Sequence, residues 1–250
     1  MITSLADYIS KNPEKPIKLH LGCGSKYWKG WCNIDGYKKS ISDTHRGDMK
    51  DEPDLWLDIR ELEAHNNSID VICSQHVMEH FYRYEVIKIF RNFYKKLKPG
   101  GIVITEMPDL NKIINLIFWL PLRPKYGLDN LRNRDMITSQ LYGAAWEENE
   151  IGYPYHKYIW EKKEFINTLK EIGFIITLAT GATKSHVPFR DMAVICQKPI
   201  SEGDSSLSFL SRDFKKSYGS IYYRVFIQVK TILKLLKIAF FQLLKVDIKT

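Results

Sequence analysis

The sequence predicts an α/β fold with a largely parallel sheet, because short apolar segments alternate along its 250 residues with segments of helical periodicity. The predicted strands are residues 17–21, 31–34, 55–57, 69–73, 102–105, 174–178 and 192–196. The predicted helices are residues 85–97, ended by Lys98-Pro99-Gly100-Gly101, and residues 163–172, ended by Gly173. Since ligands of such sheets bind at the carboxyl ends of the strands, polar residues at those ends are the candidates for a functional site.

Three segments lie outside this regular alternation. Residues 1–200 form the predicted α/β domain, but within it residues 107–160 are rich in aromatic side chains and break the pattern, which indicates an insertion that caps the ligand edge. The Ser- and Gly-rich residues 201–211 are typical of a linker. Residues 212–250 combine lysines with apolar residues at helical spacing and predict an amphipathic C-terminal helix.

The charge of the chain is concentrated in this tail. Residues 211–250 carry +7 of the formal net charge of +8, which leaves +1 for the first 210 residues. A nearly neutral body does not support a nucleic-acid-binding surface. Lys230, Lys234 and Lys237 share one side of the predicted helix, which favours docking on an anionic membrane. Packing against the body or a second copy is the alternative, and vesicle binding with and without residues 212–250 separates the two.

The remaining bulk features favour a cytoplasmic protein, peripheral on the inner face of the membrane where the tail docks. Residues 1–18 lack the apolar core of a signal peptide, and no stretch reaches the roughly 18 apolar residues of a membrane span. The four cysteines lie in or beside apolar segments without metal-binding spacing, which favours reduced, buried thiols. They are Cys23, Cys32, Cys73 and Cys196.

Glycines follow the first predicted strand, in the segment Gly22-Cys23-Gly24. Glycines at a strand end let a ligand approach the backbone, whose N–H groups can hold a carboxylate or a phosphate. The segment is not a complete dinucleotide-binding fingerprint, because Tyr27 stands where the third glycine would be. This departure argues against a nicotinamide-dependent oxidoreductase.

Two further strand ends carry aspartates. Asp35 follows Gly24 by only eleven residues, so the helix between them must be short or absent. A carboxylate there can accept hydrogen bonds from both ribose hydroxyls, although a turn residue before Gly36 is the alternative. Asp58 could accept from an adenine amino group, and a helix N-cap is its alternative.

The fourth predicted strand leads into a polar segment that contains Ser74, Gln75, His76, Glu79 and His80. These residues would face the ligand edge, because they follow the end of the strand. If a helix begins near Gln75, then His76, Glu79 and His80 lie on one of its faces.

Taken in order, these motifs resemble those of the class I S-adenosylmethionine (SAM)-dependent methyltransferases. The resemblance covers about residues 17–197 and is closest to a type 11-like bacterial group associated with cell-surface polysaccharide synthesis. It implies a Rossmann-like sheet whose last strand is antiparallel, with SAM as the cofactor. The motifs are Leu21-Gly22-Cys23-Gly24, Asn33-Ile34-Asp35, Leu57-Asp58, Ile69-Asp70-Val71-Ile72, Val77-Met78-Glu79-His80-Phe81, Leu97-Lys98-Pro99-Gly100-Gly101 and Met107-Pro108-Asp109.

The resemblance also implies roles for the strand-end residues. The Gly22-Cys23-Gly24 loop would hold the methionine part of SAM, Asp35 the ribose and Asp58 the adenine. Ser74 and Gln75, with His76 after them, would lie beside the methionine and the methyl group.

The implied reaction is methyl transfer, with a sugar hydroxyl of a cell-surface polysaccharide or lipid-linked glycan as the expected acceptor. A base must then remove the hydroxyl proton, and His76, His80 and His156 are the candidates because histidine titrates near neutral pH. Asp109 is a weaker candidate. A non-catalytic SAM-fold protein that assembles at the membrane is the alternative from another class.

The site predicted above contains no metal ion, but a metal site formed by the same segment is a further alternative. The segment His76-Val77-Met78-Glu79-His80 resembles the Glu-x-x-Glu-His metal motif of some O-methyltransferases acting on RNA ends and quinone precursors, with His76 in place of the first glutamate. His156 would be a fourth ligand. The same segment matches a zinc-peptidase pattern, which would leave the glycine loop and Asp35 unexplained.

Overall fold

A seven-stranded sheet with strand order β3-β2-β1-β4-β5-β7-β6 forms the centre of the molecule. The computed structural model describes residues 3–24, 26–36, 52–119, 138–139, 141–143, 155–180 and 190–200. The strands are β1 (Lys18–Leu21), β2 (Cys32–Asp35), β3 (Leu55–Trp56), β4 (Ile69–Gln75), β5 (Leu97–Pro108), β6 (Ile175–Thr180) and β7 (Asp191–Gln197). The helices are α1 (Leu5–Ser10), α2 (Arg83–Lys96), α3 (Leu110–Trp119) and α4 (Lys162–Ile172).

The pairing of the strands confirms the predicted fold class. Strands β1 to β5 are parallel to one another, whereas β7 runs antiparallel to both β5 and β6. Strand β1 lies between β2 and β4. The chain therefore adds β2 and β3 on one side of β1 and then returns to add β4 and β5 on the other side. Ligands of open α/β sheets bind at the crevice that such a reversal of strand order creates.

The larger core covers one face of the sheet. Helix α2 buries Val86, Ile89, Phe90 and Phe93, which recur at helical spacing, and Phe90 meets Phe165 of α4 edge to face. Gly173 ends α4 with a φ of 113°, a left-handed conformation that glycine adopts without steric strain. Helices α2 and α4 thereby cover this face of the sheet.

A smaller cluster lies on the opposite face, where the strand side chains alternate with those of the larger core. Val71, Cys73, Ile102, Ile104 and Ile195 pack there against two half-buried tryptophans, Trp28 and Trp31. These tryptophans belong to the connection between β1 and β2, which contains no helix within its described residues. The short connection predicted from the spacing of Gly24 and Asp35 is thereby confirmed, as are the buried, free thiols of the four cysteines.

Two local details differ from what the sequence suggests. The helix predicted over residues 85–97 ends before Lys98-Pro99-Gly100-Gly101 as expected, but this segment is part of β5, which begins directly after α2 with Leu97 paired to Ile69. Residues 75–80 are not a helix, because β4 continues to Gln75 and is followed by a one-turn 3₁₀ helix, Met78–His80. His76 lies between these two elements with a φ of 53°.

The linker (201–211), the basic tail (212–250) and much of the capping insertion (107–160) lie outside the described residues. Their proposed boundaries and the predicted C-terminal helix therefore stay predictions. Among the helices in the described part of the chain, none has the length and hydrophobicity needed to cross a membrane.

Candidate functional site

The strand-end residues singled out in the sequence meet at one edge of the sheet, which we call the carboxyl edge. Leu21 pairs with Ile34 on one side and with Ser74 on the other. Because neighbouring strands are about 4.8 Å apart, Gly22, Asp35 and Ser74 lie side by side at the ends of three adjacent strands. The structure thus brings together the glycine loop and the polar ends of β2 and β4.

The glycine loop has a conformation that glycine favours. Gly22 and Gly24 have φ values of 61° and 52°, in the left-handed region. A Cβ atom on Gly22 would lie 2.3 Å from Cγ2 of Val77, so the loop packs directly against the turn that follows β4. The backbone N–H of Gly24 donates to Oδ2 of Asp35 at 2.8 Å. Asp35 therefore fixes the shape of the loop from the neighbouring strand.

Polar side chains link the ends of β4 and β5. The Ser74 hydroxyl, which is buried, lies 3.0 Å from Oγ1 of Thr105 in a hydrogen bond. Gln75 donates from Nε2 to Oε2 of Glu106 at 3.4 Å, and the Glu106 carbonyl accepts from the backbone N–H of His76 at 2.8 Å. Ser74 and Gln75 thus lie at the carboxyl edge, and their side chains also form hydrogen bonds between β4 and β5.

Asp58 is the N-cap of a short 3₁₀ helix, Ile59–Glu61. This is the alternative role that the sequence predicted for it. Its carboxylate accepts from the Arg60 backbone N–H at 2.9 Å and binds the Arg60 guanidinium, with Nη2 and Oδ2 2.6 Å apart. These contacts hold the carboxylate in place, although half-exposed Arg60 leaves the pair open to solvent. The adenine contact of Asp58 stays a prediction.

His76 lies between two buried carboxylates. Its Nδ1 is 2.8 Å from Oε1 of Glu79, and its Nε2 is 3.3 Å from Oδ2 of Asp191. Burial alone would lower the pKa of His76, but the two carboxylates raise it to about 9. Nη2 of Arg190 also lies 3.4 Å from Nε2, but Arg190 binds Asp191 itself, so we assign the Nε2 proton to the Asp191 contact. His76 is therefore an imidazolium at neutral pH.

The carboxylate of Glu79 is 1% exposed, and neither of its oxygens has a hydrogen bond within the described residues. The Nδ1 of His76 is at ion-pair distance, but the contact is not aligned as a hydrogen bond, so we treat it as a charge pair. Burial would raise the pKa of Glu79, yet the facing His76, with His80 and His156, lowers it below its usual value. Glu79 is thus a buried anion that faces three histidines.

His80 and His156 complete a group that we call the Glu79–His80–His156 cluster. One ligand atom from each residue lies within 4.8 Å of the other two. The two imidazole rings meet edge to face, with their centroids 5.2 Å apart. Nδ1 of His80 lies 3.1 Å from the carbonyl oxygen of Tyr155, which brings the described end of the insertion onto the carboxyl edge.

The sequence interpretation missed Asp191, Arg190 and Glu106. Asp191 heads an antiparallel strand, so its beginning, rather than its end, lies at the carboxyl edge, where it pairs with Pro108 of β5. The signal for Asp191 was a charged residue directly before an apolar strand. Asp109 also lies at this edge, but its Oδ1 accepts from the Asn111 backbone N–H at 3.2 Å in the first turn of α3.

A glycine loop, a strand-end carboxylate beside it and a reversal of strand order define a protein of the nucleotide-cofactor-binding α/β class. A family model described as "Methyltransferase domain" matches residues 2–175. The chain belongs to this methyltransferase family. The assignment confirms the predicted class of enzyme and supports SAM as its cofactor.

Solved structures of similar fold include three SAM-dependent methyltransferases. The protein from Methanosarcina mazei has 15% identity and a TM-score of 0.49, over 80% of this chain and 100% of that one. The protein from Archaeoglobus fulgidus has 13% identity and a TM-score of 0.46, over 76% and 90%. The protein from Mesorhizobium loti has 16% identity and a TM-score of 0.44, over 77% and 97%. No curated protein matches the sequence.

Proposed function

We propose that the chain is a SAM-dependent methyltransferase that methylates a sugar hydroxyl of a cell-surface polysaccharide or lipid-linked glycan. The observation that carries the proposal is the placement of the Glu79–His80–His156 cluster at the same edge as the glycine loop, which Val77 contacts directly. The loop suits a methyl donor, and the cluster suits an acceptor hydroxyl that must lose a proton. The choice of a sugar rests on the resemblance of the sequence to the polysaccharide-associated group.

The residues at the carboxyl edge fit SAM. Left-handed φ values at Gly22 and Gly24 turn the backbone sharply after β1, and Asp35 holds that turn in place. The loop would hold the methionine part of the cofactor, Asp35 the ribose and Asp58 the adenine. When bound, SAM supplies an activated methyl group together with its own leaving group. The protein then has to align the acceptor and exclude water.

Replacing Asp35 with asparagine should weaken SAM binding by about 10- to 100-fold, because a charged acceptor at the end of β2 is lost. Asparagine keeps the volume of the side chain and an acceptor oxygen for the Gly24 N–H. Isothermal titration calorimetry with SAM, S-adenosylhomocysteine and NAD measures the effect.

Asp70→Asn is the matched control for this experiment. Asp70 accepts from the Ile17 backbone N–H at 2.8 Å, the same kind of bond at the opposite edge of the sheet. Its SAM affinity should equal that of the wild type. Equal losses in the two variants, or tight binding of NAD, would contradict the assignment of the carboxyl edge to SAM.

We assign removal of the acceptor proton to the half-buried pair His80 and His156. His76 already carries a proton at neutral pH, so we assign it the positioning of Glu79. Replacing His156 with glutamine should lower kcat by about 10²- to 10⁴-fold and leave SAM affinity unchanged. His65→Gln, in the segment that precedes β4, is the control and should keep wild-type kcat.

The acceptor can be identified by mass spectrometry of surface glycans from a strain that lacks the protein. The proposal predicts a glycan lighter by one CH₂ unit, and extracts of that strain should accept a methyl group from the purified enzyme. SAM binding without methyl transfer to any such extract would favour a non-catalytic assembly protein. Docking of the basic tail on an anionic membrane would place the enzyme beside a lipid-linked acceptor, and it stays a prediction from charge.

A further inference from the structure

We propose that the Glu79–His80–His156 cluster binds a divalent cation of the first transition row. One ligand atom of each side chain lies within 4.8 Å of the others. Metal–ligand bonds to nitrogen and oxygen are about 2.0–2.2 Å long, so two ligands on opposite sides of an ion lie about 4.4 Å apart. The upper limit of 4.8 Å on the observed distances is compatible with such an arrangement. Two imidazoles with one carboxylate suit ions such as Mn²⁺ and Zn²⁺.

The state of the Glu79 carboxylate points to the same ligand. Both of its oxygens are buried without a hydrogen bond among the described residues, which is rare for a charged group. His76 faces Oε1 at 2.8 Å, and no ion-pair partner within the described residues faces Oε2. A cation bound between Glu79 and the two histidines would give Oε2 a partner and offset the unfavourable burial of the charge.

His80 is oriented as metal-binding histidines are. A carbonyl oxygen can only accept a hydrogen bond, so the contact of Nδ1 with the Tyr155 carbonyl places the ring proton on Nδ1. The lone pair is then on Nε2. Ligating histidines usually donate their other N–H group to a carbonyl or carboxylate, which fixes the tautomer and the direction of the ring.

The backbone holds the two halves of the cluster together. The N–H groups of Lys157 and Tyr158 both donate to the carbonyl oxygen of Glu79, at 2.8 and 3.3 Å. His156 is the residue before Lys157, so its position relative to Glu79 is fixed by backbone hydrogen bonds. A site with such prearranged ligands requires little reordering when the ion binds.

The structure also changes the ligand set expected from the sequence. Both ring nitrogens of His76 face carboxylate oxygens, of Glu79 and Asp191, so His76 does not face the centre of the cluster. Three protein ligands leave coordination positions for the acceptor, as in catalytic metal sites. This role rests on the proposed function and refines it: with a cation bound, His80 and His156 would act as its ligands, and the cation would lower the pKa of the acceptor hydroxyl in place of a histidine base.

Calorimetric titration of the chelator-treated full chain with MnCl₂ and with ZnCl₂ tests the proposal. We expect one ion per chain, and at least about tenfold weaker binding in Glu79→Gln, His80→Gln and His156→Gln. His65→Gln should bind as the wild type does. Circular dichroism and SAM binding check that each variant is folded; where Glu79→Gln fails this check, the two histidine variants decide the question.

Absence of binding of either ion by the wild type would overturn the site, and so would binding that persists in both histidine variants. The outcome is distinct from that of the proposed function, because it is measured without substrate. Methyl transfer that proceeds at the full rate in chelator would leave the methyltransferase assignment standing and remove the cation. Binding of the ion by a chain that transfers no methyl group would leave the cation site standing and contradict the proposed methyl transfer.

Discussion

Replacing Gly22 with alanine should lower the free energy of unfolding by about 2–5 kcal/mol and the methyl-transfer rate by about 100-fold. The added Cβ would lie 2.3 Å from Cγ2 of Val77, a distance that forces the loop and the turn after β4 apart. Overpacking of this kind costs about 1–3 kcal/mol, and the left-handed φ of 61° adds about 1–2 kcal/mol for a residue with a side chain. Loop displacements near 1 Å are sufficient for a rate loss of this size.

Gly24→Ala is the matched control, because it has the strain without the collision. Its φ is 52°, yet a Cβ there would meet no atom within 4 Å. Urea unfolding should therefore show a loss of only about 1–2 kcal/mol in Gly24→Ala. In a double-mutant cycle, Val77→Ala should recover part of the loss caused by Gly22→Ala. Equal stabilities of the two glycine variants would show that the loop does not pack tightly on the turn.

The location of the candidate site at the carboxyl edge could be predicted from the sequence, because the topology of a parallel sheet determines which residues meet there. The glycine loop, Asp35 and Ser74 each follow an apolar segment, and in a parallel sheet the ends of such segments meet. The interval of eleven residues after Gly24 correctly excluded a long helix, and Trp28 and Trp31 occupy the face that such a helix would cover.

The partners of the side chains at that edge could not be predicted, since they depend on register and on the antiparallel strand. Ser74 bonds Thr105 because the two residues are direct neighbours in β4 and β5. Asp191 reaches His76 because β7 reverses direction. Neither fact follows from the local sequence, and the roles assigned to Ser74 and His76 took no account of them.

The local backbone structure suggested by the sequence differs from the observed one in two places, where tertiary contacts override the intrinsic conformational preference of the residues. Pro99, Gly100 and Gly101 are typical of a loop, but Leu97 and Ile102 on either side of them pair with β4, and Gly100 and Gly101 bond the backbone of Lys198. His76 has a left-handed φ that a non-glycine residue rarely adopts. The contacts with Glu106, Glu79 and Asp191 hold it there, and such strain is common at functional sites.

His76→Gln should destabilise the fold by about 3–5 kcal/mol at pH 6.5, the second large effect that we expect. The substitution removes the cation that faces Glu79 and Asp191, which are both almost completely buried. Removing one partner of a buried pair is costly because Glu79 loses the cation that faces it, whereas Asp191 keeps its pair with Arg190. Lys98→Gln is the control: it breaks the exposed pair with Asp70 and should cost at most about 1 kcal/mol.

The dependence on pH separates this charge effect from simple loss of packing. The pKa of His76 is raised from 6.5 to about 9, so its charge contributes fully below pH 6.5, and the contribution is lost as the pH rises through about 9. The pKa values of Glu79 and Asp191 are lowered, so both carboxylates are ionised throughout that window. The stability difference between wild type and His76→Gln should therefore shrink steadily from pH 6.5 to pH 9.5. A difference that stays constant over this range, or one below about 1 kcal/mol at pH 6.5, would mean that His76 fills space between the strands and does not compensate the two buried charges.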